Sequence, residues 1–186
     1  ASAAVQWLRD ALGVLTDSAQ SAALAASVAD TGGVWAVPAF QGIGAPLMKP
    51  DARAAIGGLS RGSGRAHIVR AVLEGVAHRV ADAAETVWET GYRPDTIRAD
   101  GGASRNDFLM QLQADFLGIP VERSDVPDGA AVGAAALAAM ATGVALDGWA
   151  AAFSPDRVFE PGLDETTRLE LRNAWKKRCA LIADNP

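Results

Sequence analysis

The segment Thr96-Ile97-Arg98-Ala99-Asp100-Gly101-Gly102-Ala103-Ser104-Arg105-Asn106-Asp107 decides the fold class of this 186-residue chain. Its first four residues predict a short strand, and the apolar pattern over residues 106–117 predicts a helix. Two adjacent glycines separate the two elements. A turn that leaves a strand and enters a helix lies at the carboxyl edge of the sheet, where open α/β folds hold their ligands.

The alternation of strands and helices continues on both sides of this turn. Strands are also predicted at 34–38, 54–59 and 119–122. Helices are predicted at 5–12, 18–28, 66–90 and 131–142, and a last helix after Gly162 has Asp164 as its N-cap and Leu171, Trp175, Cys179 and Ile182 on one face. Alternation of this kind predicts parallel pairing with right-handed crossovers. We expect one α/β domain over residues 1–186.

Composition excludes several classes of function. The chain carries 17 Lys and Arg against 22 Asp and Glu, a net charge of −5, which disfavours binding to a nucleic-acid backbone. The single cysteine cannot form an intrachain disulfide and suits a reducing compartment. No signal peptide or membrane-spanning run is visible, so the expected location is the cytoplasm. The chain begins without Met, and its first residues already show the apolar periodicity of a helix, so we interpret it as a piece of a longer polypeptide.

The turn at Gly101-Gly102 has the features of an anion or nucleotide site. Glycines let a ligand approach the backbone, and the helix that follows offers free N–H groups at its positive end. An ordinary glycine turn followed by a cap, with Ser104 and Asp107 as a shortened capping box, explains the same residues equally well. A second glycine-rich loop at 57–65 lies among five basic residues of the segment 49–70, which could steer a phosphate or form a solvated surface.

Neither nucleophilic catalysis nor metal binding is indicated by the remaining residues. His67 and His78 share a helix face eleven residues apart, but no third ligand at metal spacing accompanies them, so both are interpreted as surface or packing residues. No Ser-His-Asp or Cys-His arrangement is present. We therefore predict neither a catalytic residue nor a metal ligand within this chain.

Several motifs in order resemble the FGGY carbohydrate-kinase family, in particular its glycerol-kinase branch. The motifs are Val5-Gln6-Trp7-Leu8-Arg9-Asp10, the loop from Val37 to Pro46, the signature from Ala54 to Glu74, Asp100-Gly101-Gly102-Ala103-x-x-Asn106, Ala131-Val132-Gly133-Ala134-Ala135, and Phe159-x-Pro161-Gly162 with Trp175-Lys176-Lys177. Together they cover nearly the whole chain.

The resemblance implies an actin-like, ribonuclease-H-like ATPase domain, the C-terminal half of a two-domain kinase. It implies ATP and Mg²⁺ as cofactors and a small polyol, foremost glycerol, as substrate, in a homo-oligomer expected to be a dimer. By position, Gln6, Gly102 and Asn106 match nucleotide contacts of the family, and Gly101 is adjacent. The polyol-binding residues and the catalytic Asp belong to the family's N-terminal domain.

Three departures from the family pattern keep alternatives open. Ser2 stands where a glycine is expected, Leu47-Met48-Lys49 replaces an aromatic-Trp-Asp run, and Ala130 replaces a threonine. The alternatives are another sugar or polyol kinase, of the xylulose or erythritol type, and a non-catalytic domain that keeps the fold. A nicotinamide-dependent dehydrogenase is disfavoured because its G-x-G-x-x-G fingerprint is absent.

Overall fold

The computed structural model describes residues 2–126, 128–145 and 154–183. The helices are α1 (Ser2–Asp10), α2 (Gln20–Ala26), α3 (Arg65–Trp88), α4 (Asp107–Leu117), α5 (Gly129–Ala141) and α6 (Glu165–Ala183). The strands are β1 (Trp35–Val37), β2 (Ala55–Gly57), β3 (Ile97–Ala99), β4 (Val121–Ser124) and β5 (Pro155–Phe159). A short 3-10 helix, Gly102–Arg105, precedes α4.

The strands of the described residues form two sheets, in which one of the three strand pairs is parallel. β3 lies parallel to β4, with Ile97 opposite Val121, as the sequence predicts for this strand–helix–strand unit. β1 and β2 are antiparallel, so the prediction of parallel pairing is wrong there. The physical reason lies in the connection between the two strands. A parallel pair needs a crossover, usually a helix, to carry the chain back to the starting edge of the sheet. Residues 38–54 form no helix, so β2 runs back beside β1 in the opposite direction.

The edge strand β5 is missing from the sequence prediction. It lies antiparallel to β4, with Phe159 opposite Val121. Only Phe159 of this strand is buried, and the four residues before it are exposed. A strand with one buried residue has neither an apolar run nor an apolar–polar alternation by which to recognise it.

Helix α3 lies at the centre of the core. Its buried side chains, among them Val69, Val72, Leu73 and Val76, pack against neighbours from α1, α2, α4 and β1. Gly75 faces the backbone of β1 so closely that a Cβ at this position would lie 2.3 Å from the carbonyl oxygen of Ala36. This close approach lets α3 pack directly against the sheet of β1 and β2.

Helix α6 packs on α3 through a mixed apolar and ionic face. Trp175, Cys179 and Ile182 are buried, as predicted, but Leu171 is 39% exposed, so its assignment to that face is wrong. Arg172 occupies the buried position instead, and its guanidinium donates to the carboxylate of Asp82 at 2.6 Å. The carboxylate of Asp164 accepts from the Thr167 backbone N–H at 3.0 Å, which confirms the predicted N-cap.

Helix α5 is apolar and buries no residue against the rest of the described chain. Leu137 and Met140 on this helix are 69% and 60% exposed. Of the helices within the described ranges, none is both long and apolar enough to span a bilayer.

Candidate functional site

The two glycines of the turn between β3 and α4 account for the conformation of its backbone. Gly101 has φ +81°, a left-handed conformation that residues with a Cβ rarely adopt. Gly102 begins the 3-10 helix, and a Cβ added to it would meet no atom within 4 Å. The first glycine therefore serves the turn itself, while the second leaves an open space beside the backbone.

Asn106 ends this turn and caps α4. Its side-chain Oδ1 accepts a hydrogen bond from the Leu109 backbone N–H at 2.9 Å. The prediction that Ser104 and Asp107 form a capping box is wrong. The Ser104 hydroxyl donates instead to the Gly101 carbonyl at 2.7 Å, because residues 102–105 form their own 3-10 turn and α4 begins after them.

A cavity of about 370 Å³ lies beside this turn, and we call it the first cavity. Its walls come from α1, the segment that leads into α2, the first turn of α2, the 3-10 helix and the start of α4. The lining residues are Val5, Gln6, Ser18, Ala19, Ser21, Ala22, Gly102, Ala103, Arg105, Asn106 and Leu109. Three of the four residues predicted from the resemblance, Gln6, Gly102 and Asn106, thus lie around one space although up to 100 residues separate them in the chain.

Gly101, the fourth predicted residue, lies on the other side of the turn. It lines a separate cavity of about 510 Å³, the second cavity, together with Ser104, Arg105, Arg123, Ser124, Asp125, Val126 and Asp156. Gly101 therefore shapes the turn that borders the first cavity without lining that cavity.

Apart from Arg105 at its border, the described lining of the first cavity is uncharged and mixes apolar with polar side chains. Apolar side chains such as Val5 and Leu109 alternate with the amides of Gln6 and Asn106 and the hydroxyls of Ser18 and Ser21. Amides supply both donors and acceptors, which suit the edge of a heterocyclic base, while the apolar wall suits its faces. Among the described residues, the lining contains neither a carboxylate nor an imidazole, so these residues offer no general base.

A hydrogen bond from the Asn106 Nδ2 to the Ser21 Oγ, 3.1 Å long, joins the two sides of the first cavity. Ser18 and Ser21 could not be recognised as lining residues from the sequence, because no local motif marks them. Arg105 also lines the first cavity and lies within the glycine turn, although no motif assigned it a role.

Both histidines occupy structural positions. The Nδ1 of His67 accepts from the Gly64 backbone N–H at 3.1 Å at the start of α3. His78 is buried between Phe116 and Trp175, with ring centroids 3.8 and 5.0 Å away. Burial lowers the pKa of His78 well below 6.5, and the positive charge of Arg172 acts in the same direction. Within residues 2–126, 128–145 and 154–183, no group of three or more His, Cys, Asp or Glu side chains could hold a metal ion.

The cysteine and the basic segment lie away from both cavities. Burial raises the pKa of the Cys179 thiol to about 12, which leaves it unreactive as a nucleophile near neutral pH. Of the five basic residues in the segment 49–70, Arg70 is paired with Glu74 at 3.0 Å. The other four are exposed and line neither cavity.

Comparison with known proteins agrees with this architecture. Residues 1–142 match the C-terminal domain of the FGGY family of carbohydrate kinases. A glycerol kinase from Bordetella parapertussis is 47% identical over 184 residues, which cover 97% of this chain. The chain spans about 36% of the length of that relative.

Solved structures show the same arrangement of the backbone. The crystal structure of the Plasmodium falciparum glycerol kinase with ADP superposes with a TM-score of 0.87 at 30% identity, over 97% of this chain and 37% of that one. A xylulose kinase from Rhodospirillum rubrum gives a TM-score of 0.79 at 30% identity, over 97% of this chain and 38% of that one. With its mixed α/β, actin-like ATPase fold and its match over residues 1–142, the chain belongs to the FGGY family of carbohydrate kinases and resembles the C-terminal domain of its glycerol kinases.

Proposed function

We propose that this chain is the nucleotide-binding half of an ATP-dependent kinase that phosphorylates a small polyol, foremost glycerol, to glycerol 3-phosphate. The observation that carries the proposal is the meeting of Gln6, Gly102 and Asn106 around the first cavity. Their positions match nucleotide contacts of the family, and they come from two distant parts of the chain, α1 and the turn before α4.

The first cavity fits the adenosine part of ATP. Its volume of about 370 Å³ falls within the range of small-molecule pockets. The amide of Gln6 is exposed and that of Asn106 has one N–H left after its bond to Ser21, so both can hydrogen-bond a base. The open space beside Gly102 lets a ribose or phosphate approach the backbone without contact with a side chain.

The role of these residues in the reaction is to bind and orient. A hydroxyl oxygen of the polyol attacks the γ-phosphorus of ATP, and the bond from that phosphorus to the leaving oxygen of ADP breaks. Holding adenosine rigidly fixes where the γ-phosphate lies relative to the attacking hydroxyl. The first cavity has no group that could accept the hydroxyl proton, so we assign that step to a part of the kinase outside this chain.

Mg²⁺, which the family implies, has no ligand set in the ranges that the structure describes. Kinases bind this ion chiefly through substrate phosphates and one or two carboxylates. We therefore assign the cavity residues to the nucleotide alone.

Glycerol is the preferred substrate because the glycerol kinase of B. parapertussis is 47% identical to the chain. A five-carbon sugar such as xylulose is the second candidate, since the R. rubrum xylulose kinase is 30% identical over 97% of the chain. The two candidates share the nucleotide site and differ in the acceptor alone.

The test is ADP formation by the native, full-length protein with ATP, Mg²⁺ and a panel of acceptors that contains glycerol and xylulose. We expect glycerol to stimulate ADP formation most. Stimulation by xylulose and not by glycerol would move the assignment to the second candidate. Protein that is folded, yet binds no ATP and turns over no acceptor, would contradict the proposal.

A further inference from the structure

Arg105 lies at the junction of the two cavities. It is the last residue of the 3-10 helix, its side chain is exposed, and among the residues that the structure describes it alone lines both spaces. It is also the one charged residue among those that line the first cavity. Its guanidinium therefore places a positive charge at the border of the first cavity.

The guanidinium of Arg105 has no hydrogen-bond or ion-pair partner within residues 2–126, 128–145 and 154–183. Its neighbour Arg123 differs in this respect: Arg123 holds the carboxylate of Asp107 at 2.6 Å and that of Asp156 at 2.7 Å. Two carboxylates neutralise Arg123, whereas Arg105 keeps an uncompensated positive charge. Arginine does not lose this charge at any physiological pH.

We propose that the guanidinium of Arg105 contacts the phosphate chain of a nucleotide whose base and ribose lie in the first cavity. This inference rests on the proposed function. The neutral cavity accepts the uncharged part of the ligand, and the free cation at its border accepts the anionic part. Arg105 thus makes the site selective for a nucleotide over the corresponding nucleoside, because a charge-assisted hydrogen bond is stronger than a neutral one.

The test is calorimetric titration of the native, full-length protein with ADP and, separately, with adenosine. Arg105→Gln removes the charge and Arg105→Lys keeps it. Arg98→Gln is the control, because Arg98 is another exposed arginine that lines neither cavity and pairs with Glu122. We expect Arg105→Gln to weaken ADP binding about tenfold, the loss of roughly one charge-assisted hydrogen bond. Adenosine binding should change by less than about twofold.

Arg105→Lys should retain most of the preference for ADP, and Arg98→Gln should bind both ligands as the wild type does. Salt should weaken ADP binding more in the wild type than in Arg105→Gln. The inference is overturned if Arg105→Gln binds ADP like the wild type, or if the variant loses ADP and adenosine affinity equally. Failure of the proposed function looks different: the wild type itself would bind neither ligand.

Discussion

Asn106 links the stability of the fold to nucleotide binding, and two substitutions separate these contributions. Asn106→Asp keeps an oxygen that can accept from the Leu109 N–H but removes the amide donor that reaches Ser21 and faces the first cavity. Asn106→Ala removes both the cap and the donor. If the amide contributes to nucleotide binding, the Asp variant should therefore bind the nucleotide more weakly while the N-cap of α4 stays intact.

The structure gives the expected magnitudes. Loss of an N-cap costs about 1 kcal/mol, and loss of one neutral hydrogen bond costs about 1 kcal/mol. Asn106→Ala should therefore lower the free energy of unfolding by about 2 kcal/mol. In Asn106→Asp the new negative charge at the helix N-terminus offsets part of the lost bond to Ser21 by about 0.5 kcal/mol, so its stability should stay within about 1 kcal/mol of the wild type.

Steady-state kinetics and urea unfolding of the native protein test both effects. We expect Asn106→Asp to raise the KM for ATP about tenfold, since a carboxylate cannot donate to the base and repels the phosphates, with little change in the KM for the polyol. Asn173→Asp is the matched control, because Asn173 is exposed on α6 and lines neither cavity. An unchanged KM for ATP in Asn106→Asp, or equal increases for ATP and polyol, would refute the role of Asn106 in nucleotide binding.

Three further predictions follow from the same structure. Gly102→Leu should raise the KM for ATP at least about tenfold by filling the first cavity, whereas Gly133→Leu, at another open glycine, should leave it unchanged; steady-state kinetics checks both. Burial holds the pKa of His78 well below 6.5, so below about pH 6.5 the unfolded chain binds a proton at this residue and the folded chain does not. The free energy of unfolding should therefore fall by up to about 1.4 kcal/mol for each pH unit below that value. In urea unfolding measured at several pH values, His78→Gln should remove this part of the pH dependence. Asp82→Asn should lower the free energy of unfolding by about 3 kcal/mol, since it removes the buried carboxylate that holds Arg172 and Arg79 and leaves Glu85 as the remaining counter-ion of Arg172. Glu165→Gln changes a carboxylate that is 70% exposed, and the new amide oxygen can still accept from Arg168, so it should cost less than about 1 kcal/mol in the same assay.

Local signals explain which parts of the fold could be predicted from the sequence. The strand, glycine turn and helix over residues 96–117 depend on neighbours in the chain: an apolar period, a glycine at φ +81° and an asparagine at the cap position. The parallel pair β3–β4 follows from the helix that joins its strands. The antiparallel pair β1–β2 also has a local signal that the prediction of parallel pairing overlooked, because the glycine- and proline-rich connection between these strands holds no helix for a parallel crossover.

The parts that sequence reasoning missed depend on contacts between distant residues. Arg172 is a charged residue that the helical pattern assigns to the surface, yet it is buried because Asp82, 90 positions earlier, supplies its counter-ion. The wall of the first cavity includes Ser21, which reaches Asn106 across 85 positions. The resemblance to a family identified Gln6 and Asn106 as candidate residues. The cavity between them forms only when α1 and α2 pack on α3 and α4, so it could not be predicted from the sequence.

The most direct test of the account is a crystal structure of the native protein with bound ADP. We expect the adenine to lie in the first cavity, within hydrogen-bond distance of the side-chain amide of Gln6 or Asn106, and the ribose or phosphates to pass beside Gly102. Well-defined ADP bound elsewhere, with the first cavity occupied by solvent alone, would contradict the assignment of this cavity as the adenosine site.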